Sequence, residues 1–164
     1  EIAQVIGLKR PKLNQVKILM VEETGTGCEY PFSGEKLCPV LTVYRASNFE
    51  AACQQVSKIY NFQGKGHSVG LHSQDESRPL KIGLSLPACR VIVNQAHCFA
   101  TGGSFDNGLP FSLSMGCGTW GKNSISDNLN YRHYLNIVSI VRPIPKVEPT
   151  DEDIFGKFWD KHGR

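Results

Sequence analysis

The sequence predicts an α/β fold, with a mainly parallel sheet covered by helices on both faces in a three-layer sandwich. Two observations support this prediction. Apolar runs of strand length occur at residues 17–21, 40–44 and 89–93, and a further strand is expected at 67–72. Continuous apolar runs of this length are typical of strands buried on both faces, and segments with helical spacing of apolar residues lie between them.

The strongest helix prediction begins after Ser47. Ser47-x-x-Glu50 has the pattern of a capping box, in which the two side chains accept hydrogen bonds from the first free backbone amides. Apolar residues then recur at helical spacing, and Gly64 ends the helix. A second helix is expected after Ser77. Residues 1–6 have the pattern of a helix end that stops at Gly7, so we expect the chain to begin inside a larger fold.

The regular periodicity stops between Asn94 and Asn130, where the chain is rich in Gly, Ser and Asn. A loop this long inside a compact domain is usually functional or disordered, and its aromatic and apolar residues favour a function. After it, Leu135–Val141 predicts a late strand bounded by prolines. Thr150 is expected to cap a C-terminal helix. The apolar face of that helix consists of Ile154, Phe155, Phe158 and Trp159.

Composition excludes several classes of function. Hydrophobic residues make up 40% of the chain and charged residues 20%, as in ordinary globular domains. No apolar run approaches the ~18 residues of a membrane helix. The net charge is only +3 and the basic residues are dispersed, which does not favour nucleic-acid binding. We therefore expect neither a membrane nor a nucleic acid as partner, and in the absence of a secretory segment we expect a cytoplasmic location.

The six cysteines are irregularly spaced, which predicts reduced thiols rather than disulfides. No Cys-x-x-Cys or His-x-x-x-His pair occurs, so no metal site is expected, and most of the thiols are expected to be buried as small hydrophobic groups. An independent thiol enzyme is an alternative. It requires the fold to bring Cys98 or Cys117 to His67 or His133.

Gly116-x-Gly118-x-x-Gly121 matches the dinucleotide-binding fingerprint in its letters. That fingerprint requires a buried strand before it, an apolar-faced helix after it, and an acidic residue about 20 positions further on. The flanking residues here are polar and supply neither element. We therefore predict a tight loop in which glycine permits positive φ and close backbone approach.

Polar residues directly after a buried strand form the candidate ligand site. Asn94, Gln95 and His97 follow the strand at 89–93, and ligand crevices of open α/β sheets lie at the carboxyl ends of strands. Glu35, considered alone, has the pattern of a solvated turn residue. His67 follows a glycine-rich turn at the start of a strand and is equally compatible with a structural role.

Longer phrases carry a resemblance to a known family. The chain resembles the C-terminal third of the CoA-acylating aldehyde dehydrogenases, over nearly all its length to about Pro145, and the order and spacing of the phrases together are highly specific. The matching phrases are Glu35-Lys36-Leu37-Cys38-Pro39-Val40-Leu41, Tyr44-Arg45-Ala46, Gly64-x-Gly66-His67-Ser68, Arg90-Val91-Ile92-Val93-Asn94 and Gly116-Cys117-Gly118-Thr119-Trp120-Gly121.

The resemblance implies oxidation of an aldehyde to an acyl-CoA, with NAD(P)⁺ as hydride acceptor and coenzyme A as co-substrate. In this family a cysteine thiolate attacks the aldehyde, hydride leaves to the nicotinamide, and CoA resolves the resulting thioester. No cysteine of this chain matches the family nucleophile, which would lie upstream together with the dinucleotide-binding fold. We therefore expect the chain alone to be inactive. The choice between NAD and NADP stays open.

The resemblance also assigns site residues. Glu35 corresponds to the glutamate that holds the nicotinamide ribose, and Leu37 stands in the cofactor site where the wider superfamily usually has an aromatic residue. His67 matches a histidine of the acylating branch, and its supporting role is left open. The loop from Asn94 to Phe111 would wall the aldehyde pocket. The substrate-pocket residues on it are Asn94, Gln95, His97, Gly102, Gly103 and Phe111.

Within the family the loop is most similar to the acylating sulfoacetaldehyde dehydrogenases, on Asn94-Gln95-Ala96-His97 and Phe105-Asp106-Asn107-Gly108-Leu109-Pro110-Phe111. A sulfonate needs charge-assisted hydrogen-bond donors. The candidates are His97, Arg90 and the backbone amides of Gly102 and Gly103. Arg90 lies on a buried strand and is equally compatible with a structural role. Acetaldehyde and succinic semialdehyde remain alternative substrates.

The resemblance divides the chain into three parts: residues 1–134 as part of the catalytic domain, 135–145 as an oligomerisation strand, and 146–164 as a tail with a short helix. The strand implies a homo-oligomer, either a dimer or a tetramer. The alternative from another class is a non-catalytic oligomerisation or interaction fragment.

Overall fold

The computed structural model describes residues 1–9 and 12–164. These residues form two units, Glu1–His133 and Tyr134–Arg164. The helices are α1 (Ile2–Val5), α2 (Phe49–Phe62), α3 (Arg78–Ser85), α4 (His97–Ala100) and α5 (Asp151–His162), and the strands are β1 (Leu19–Glu22), β2 (Val40–Val43), β3 (Gly66–Leu71) and β4 (Ala88–Val93).

The strands form parallel pairs, as the α/β prediction requires. Strand β1 pairs with β2, with Leu19 opposite Val40. Strand β3 pairs with β4, with Gly66 opposite Ala88, and α3 connects them. In the described part of the chain the two pairs are separate sheets. The predicted strands at 17–21, 40–44, 67–72 and 89–93 are confirmed to within two residues at either end.

The N-cap of helix α2 lies one residue after the predicted one. The predicted cap was Ser47, but Asn48 occupies the N-cap position, and its side-chain oxygen accepts a hydrogen bond of 2.8 Å from the amide of Ala51. Serine and asparagine are both strong N-cap residues, and the extended backbone of Asn48 selects it. The helix ends at Phe62, just before Gly64 with φ of +94°.

The core lies between two helices and one face of the β3–β4 pair. Its buried members are Tyr60, Val69, Ile82 and Leu86, from α2, β3, α3 and the end of α3. Leu71 packs against them, because residues two apart on a strand share a face. This arrangement buries one layer of helices against the sheet.

The opposite face of the β3–β4 pair is contacted by His97, the first residue of α4. The ring of His97 lies against β3, where its Nε2 is 2.7 Å from the hydroxyl oxygen of Ser68. A Cβ on Gly70 would lie 2.7 Å from Nδ1 of the same ring. The sheet therefore has chain on both faces, which confirms the layered arrangement for this pair.

The second unit contains one helix. Thr150 and Asp153 cap α5 reciprocally, as a capping box, which confirms the predicted start. Its apolar residues Ile154, Phe155 and Phe158 are exposed. The strand predicted at Leu135–Val141 is not formed, because a strand needs a hydrogen-bonded neighbour and no described segment supplies one.

Over the described residues, no helix combines the length and the apolar character that crossing a membrane requires.

Candidate functional site

A short 3₁₀ turn positions Glu35. The turn is Pro31–Ser33, and the buried Ser33 hydroxyl donates to the carbonyl of Tyr30 at 2.7 Å. The amide of Gly27 donates to the same hydroxyl at 3.0 Å. Beyond the turn, the backbone amide of Glu35 donates to the side-chain oxygen of Gln63 at 2.7 Å. Glu35 is therefore anchored to the end of α2 through its backbone, and its side chain remains exposed.

Glu35 and His67 line the same cavity, although they are far apart in sequence. The cavity has a volume of about 280 Å³. It is lined by Ser33, Gly34, Glu35, Ile59, Tyr60, Gln63, Gly64 and His67. Among the described residues no hydrogen bond or ion pair engages the Glu35 carboxylate. The structure thus brings together the predicted cofactor-binding glutamate and the predicted supporting histidine.

Tyr60 forms the buried wall of this cavity. Its hydroxyl donates to the backbone carbonyl of Ser68 at 2.8 Å, and burial raises the pKa of Tyr60 to about 12. The phenol therefore stays protonated at neutral pH and serves as a fixed donor to β3. It is a structural member of the wall.

Leu37 does not join the Glu35 cavity. The residue is 93% exposed. Nothing in the described part of the chain packs on it closely, so its place in a cofactor site stays a prediction.

Asn94 links the carboxyl ends of β3 and β4. Its backbone is left-handed, with φ of +52°, a conformation that asparagine tolerates. Its side-chain oxygen accepts from the amide of Ser73 at 2.9 Å, and its amide nitrogen donates to the Ser73 carbonyl at 2.8 Å. Both polar atoms are used within the fold, so this geometry does not support the predicted role of the Asn94 side chain in binding substrate.

Gln95 and His97 also have internal partners. The Gln95 oxygen accepts a bond of 3.2 Å from the side chain of Asn107. His97 contacts Ser68, as described above, and burial lowers the pKa of His97. The imidazole is therefore neutral at neutral pH. The Nε2 of the ring has Ser68 as an internal partner, and the role of His97 as a sulfonate donor stays a prediction.

Gly102 and Gly103 differ in whether their backbone amides have a hydrogen-bond partner. The amide of Gly103 donates to the carbonyl of Ala100 at 3.2 Å, so it is not the free donor that was predicted. Gly103 has φ of +86°, and a Cβ there would lie 2.5 Å from the carbonyl oxygen of Pro110. The amide of Gly102 has no partner among the described residues. Of the two glycine amides that were predicted as donors, only that of Gly102 is therefore free.

Phe111 stands at the end of the loop and is 61% exposed. Its ring packs edge-to-face on Phe105, with centroids 4.9 Å apart, and Phe105 is otherwise fully exposed. The loop therefore presents an aromatic pair at its surface. Such pairs favour apolar contact with whatever covers them.

Arg90 is an internal residue, which corrects its prediction as a sulfonate donor. Only 7% of its surface is exposed. Its Nε donates to the side-chain oxygen of Asn128 at 2.9 Å, and its Nη1 donates to the carbonyl of Gly116 at 3.0 Å. Its Nη2 is buried and has no partner in the described part of the chain.

Sequence reasoning missed Asn128. The signal was an arginine in the middle of an apolar strand, because a buried cation needs polar partners. The sequence does not say which residue supplies them, since Asn128 lies far along the chain in an irregular segment.

The glycine-rich loop is a packed turn, which confirms that the dinucleotide fingerprint was rightly rejected. A short 3₁₀ turn at Thr119–Gly121 follows Gly118, and Gly118 has φ of +60°. A Cβ on Gly66 would collide with the carbonyl oxygen of Cys117. Gly66 at the start of β3 is therefore needed where the loop packs against it, and Gly121 of the loop is needed as well, because a Cβ there would collide with the Cβ of Cys117.

All six cysteines are free thiols, as predicted. The expectation that most are buried is wrong, because only Cys117 is buried, while Cys28, Cys38 and Cys98 are exposed. Burial raises the pKa of Cys53 and of Cys89, which weakens a thiol as a nucleophile.

The described residues contain no Cys–His hydrogen bond, and His133 instead contacts Asp127 at 2.9 Å. The geometry therefore does not support an independent thiol enzyme. The described residues also contain no group of three or more His, Cys, Asp or Glu side chains arranged to hold a metal ion.

Solved structures identify the class. Models of known protein families give no match. The crystal structure of an acetylating aldehyde dehydrogenase from Geobacillus thermoglucosidasius matches 89% of this chain and 32% of that one, with a TM-score of 0.76 and 38% identity. This chain is therefore homologous to one segment of the acylating aldehyde dehydrogenases and has the fold of that segment.

Curated relatives refine this class. The chain is 57% identical over 163 residues to sulfoacetaldehyde dehydrogenase (acylating) of Cupriavidus necator, across 99% of this chain and 33% of that protein. It is 35% identical to the sulfoacetaldehyde dehydrogenase (acylating) of Bilophila wadsworthia, over 99% of this chain and 35% of the relative. It is 37% identical to a succinate-semialdehyde dehydrogenase (acetylating) of Clostridium kluyveri, over 94% of this chain and 34% of that protein. The chain spans about a third of the length of these relatives.

Proposed function

We propose that this chain is part of an enzyme that oxidises sulfoacetaldehyde to its acyl-CoA. The aldehyde loses a hydride to NAD(P)⁺ and gains a bond to the sulfur of coenzyme A, and one proton is released. The observation that carries the proposal is the 57% identity, over essentially the whole chain, to a sulfoacetaldehyde dehydrogenase (acylating).

Glu35 is the proposed cofactor-binding residue. Its carboxylate is exposed beside a cavity, has no described partner, and stands on a backbone fixed by Gln63. These properties fit a ligand that presents hydroxyl donors, such as the nicotinamide ribose, because an ionised carboxylate accepts hydrogen bonds only. When bound, the nicotinamide supplies the hydride acceptor. Leu37, next to this site in sequence, is proposed to contact the cofactor through its exposed apolar surface.

The loop from Gln95 to Phe111 is proposed to wall the aldehyde pocket. The free amide of Gly102 is the donor proposed for the sulfonate, while the ring of Phe111 supplies apolar surface. The neutral His97 fixes α4 against β3 beneath the loop. In this proposal none of the six cysteines is the nucleophile, which belongs to a part of the enzyme outside this chain.

Acylating oxidation of another small aldehyde is the second candidate. The succinate-semialdehyde relative is 37% identical, which is no lower than the 35% of the Bilophila relative. At this level of identity, relatedness does not separate the two substrates. Acetaldehyde is the third aldehyde to compare.

A homo-oligomer in the cytoplasm completes the proposal. The apolar residues of Leu135–Val141 are exposed and lack a paired strand, which suits addition to a sheet shared between subunits, as in a dimer or tetramer. Free thiols at exposed positions suit a reducing compartment. Light scattering of the purified protein and fractionation of cells test these two statements.

The full-length protein encoded by the parent gene tests the proposed reaction. NAD(P)H formation is followed with sulfoacetaldehyde, acetaldehyde and succinic semialdehyde, each with and without coenzyme A. We expect CoA-dependent turnover with the highest kcat/KM for sulfoacetaldehyde. Preference for another aldehyde would retain the acylating reaction and reject the sulfonate pocket. Turnover independent of coenzyme A would reject the acylating reaction.

A further inference from the structure

Asn128 has the most completely buried large side chain of the described residues, with no exposed surface. It lies in irregular chain, where its backbone forms an isolated antiparallel bridge with Met115. A buried amide is stable only when its oxygen and its nitrogen both have partners. The partners of Asn128 therefore show what this residue holds in place.

Its nitrogen binds the predicted aldehyde loop at two positions, one at the end of α4 and one near the end of the loop. Nδ2 of Asn128 donates to the carbonyl of Thr101 at 2.9 Å and to the carbonyl of Pro110 at 2.8 Å. Thr101 is the residue that ends α4, so one side chain closes the segment between these two positions.

Neither carbonyl has another described donor. The last carbonyls of a helix have no partner inside the helix, which explains why Thr101 needs a donor from elsewhere. Within the loop, Asn107 donates to the carbonyl of Ala100 at 3.0 Å, which leaves Thr101 and Pro110 to Asn128.

Arg90 determines which way the amide faces. A guanidinium has donors only, so the atom of Asn128 that lies 2.9 Å from its Nε must be the oxygen. The nitrogen is thereby directed to the loop. Because Arg90 also holds the Gly116 carbonyl, strand β4 serves as the common support of the amide and of the glycine-rich turn.

We infer that Asn128 is the positioning residue of the loop at 101–111, and that its paired amide donors hold this loop in the shape required to bind the aldehyde. The role in aldehyde binding rests on the proposed function. The role in holding the loop rests on the hydrogen bonds alone.

The Asn128→Asp variant of the full-length protein keeps the acceptor for Arg90 and removes the donors to the loop. The carboxylate still accepts from Arg90, whose Nη2 lacks a partner, but it cannot donate to Thr101 or Pro110. We expect amide hydrogen exchange in residues 101–111 to accelerate by at least about tenfold. We also expect KM for the aldehyde to rise about tenfold, with changes below about twofold in KM for NAD(P)⁺ and coenzyme A.

Asn123→Asp is the matched control. Asn123 donates to the Gly121 carbonyl in the glycine-rich turn and makes no bond to the loop. The same chemical change there is expected to leave exchange in residues 101–111 unaltered. Should the Asn128→Asp protein fail to fold, judged by its melting curve, Asn128→Ser is measured in the same way, because serine is smaller and uncharged and retains one donor.

The exchange data decide the inference even if the proposed reaction is wrong. Faster exchange confined to the loop supports a holding role whether or not any form of the protein oxidises an aldehyde. Unchanged exchange overturns it. A lower melting temperature with exchange raised uniformly and KM for the aldehyde unaltered would also overturn it, since that pattern describes a purely structural residue.

Discussion

The two pairs of parallel strands differ in how well the chain covers them. The β3–β4 pair has a core on one face and the ring of His97 on the other, and Ile92, near the end of β4, is 5% exposed. The β1–β2 pair has no buried residue in either strand, and Leu41 is 52% exposed. The same type of ladder is therefore well buried in the β3–β4 pair and largely exposed in the β1–β2 pair.

The two strand pairs also differ in the site residues that are proposed to lie near them. The well-covered half carries the loop proposed for the aldehyde, which is fixed by internal hydrogen bonds. The poorly covered half carries Glu35 and Leu37, whose side chains face solvent. Under the proposed function, these exposed side chains form the contact with the cofactor.

The largest expected effect compares the two strand pairs directly. In the 164-residue chain, we expect Ile92→Ala to lower the free energy of unfolding by about 2–5 kcal/mol, because it leaves a cavity in packed surroundings. Leu41→Ala is expected to cost less than about 1 kcal/mol, because little of the side chain is buried. Urea denaturation measures both. Equal losses would contradict the unequal cover of the two pairs.

A smaller effect concerns the exposed half. In the full-length protein we expect Glu35→Gln to raise KM for NAD(P)⁺ about tenfold, because hydrogen bonds to a charged group are stronger than those to a neutral one. The melting temperature should not change, since the carboxylate has no described partner. Glu29→Gln, a change of the same kind at another exposed glutamate, is the control. An unaltered KM in the Glu35 variant would remove Glu35 from the cofactor site.

The smallest effect is the pH dependence contributed by His97. Burial holds the pKa of His97 below the value of about 6.5 that it has in an unfolded chain. Between these two pKa values the unfolded state binds more protons, so this contribution to stability is lost as pH falls below about 6.5. We expect the free energy of unfolding to depend less steeply on pH in His97→Gln than in the unmodified chain. Identical slopes from pH 7 to 5 would contradict this.

Local patterns in the sequence predicted the strands and helices well, because the buried strands are continuous apolar runs and α2 has apolar residues at helical spacing. The apolar run ending at Val93 and the helical spacing after Asn48 required no knowledge of partners. The choice of Ser47 over Asn48 failed because both side chains can cap a helix, and the backbone conformation decides between them. The strand predicted at Leu135–Val141 is not formed, because the described part of the chain supplies no neighbour for it, and its pairing within an oligomer stays a prediction.

The candidate site was predictable only in part, because its geometry depends on contacts between distant residues. The resemblance located Glu35 and His67, and the structure adds that they share a cavity. The polar residues after β4 were correctly noticed, but Asn94 has an internal partner that sequence spacing does not reveal. Arg90 and Asn128 show the same limit, as they meet across 38 positions of chain.

The hydrogen bonds between Asn128 and the loop affect experiments in which segments are exchanged between relatives to alter the proposed aldehyde preference. If only residues 95–111 were exchanged, the carbonyl groups at positions 101 and 110 would come from one protein and the residue at position 128 that binds them from the other. The transferable module is the longer stretch from 95 to 130, which carries both the pocket wall and the side chain that determines its shape.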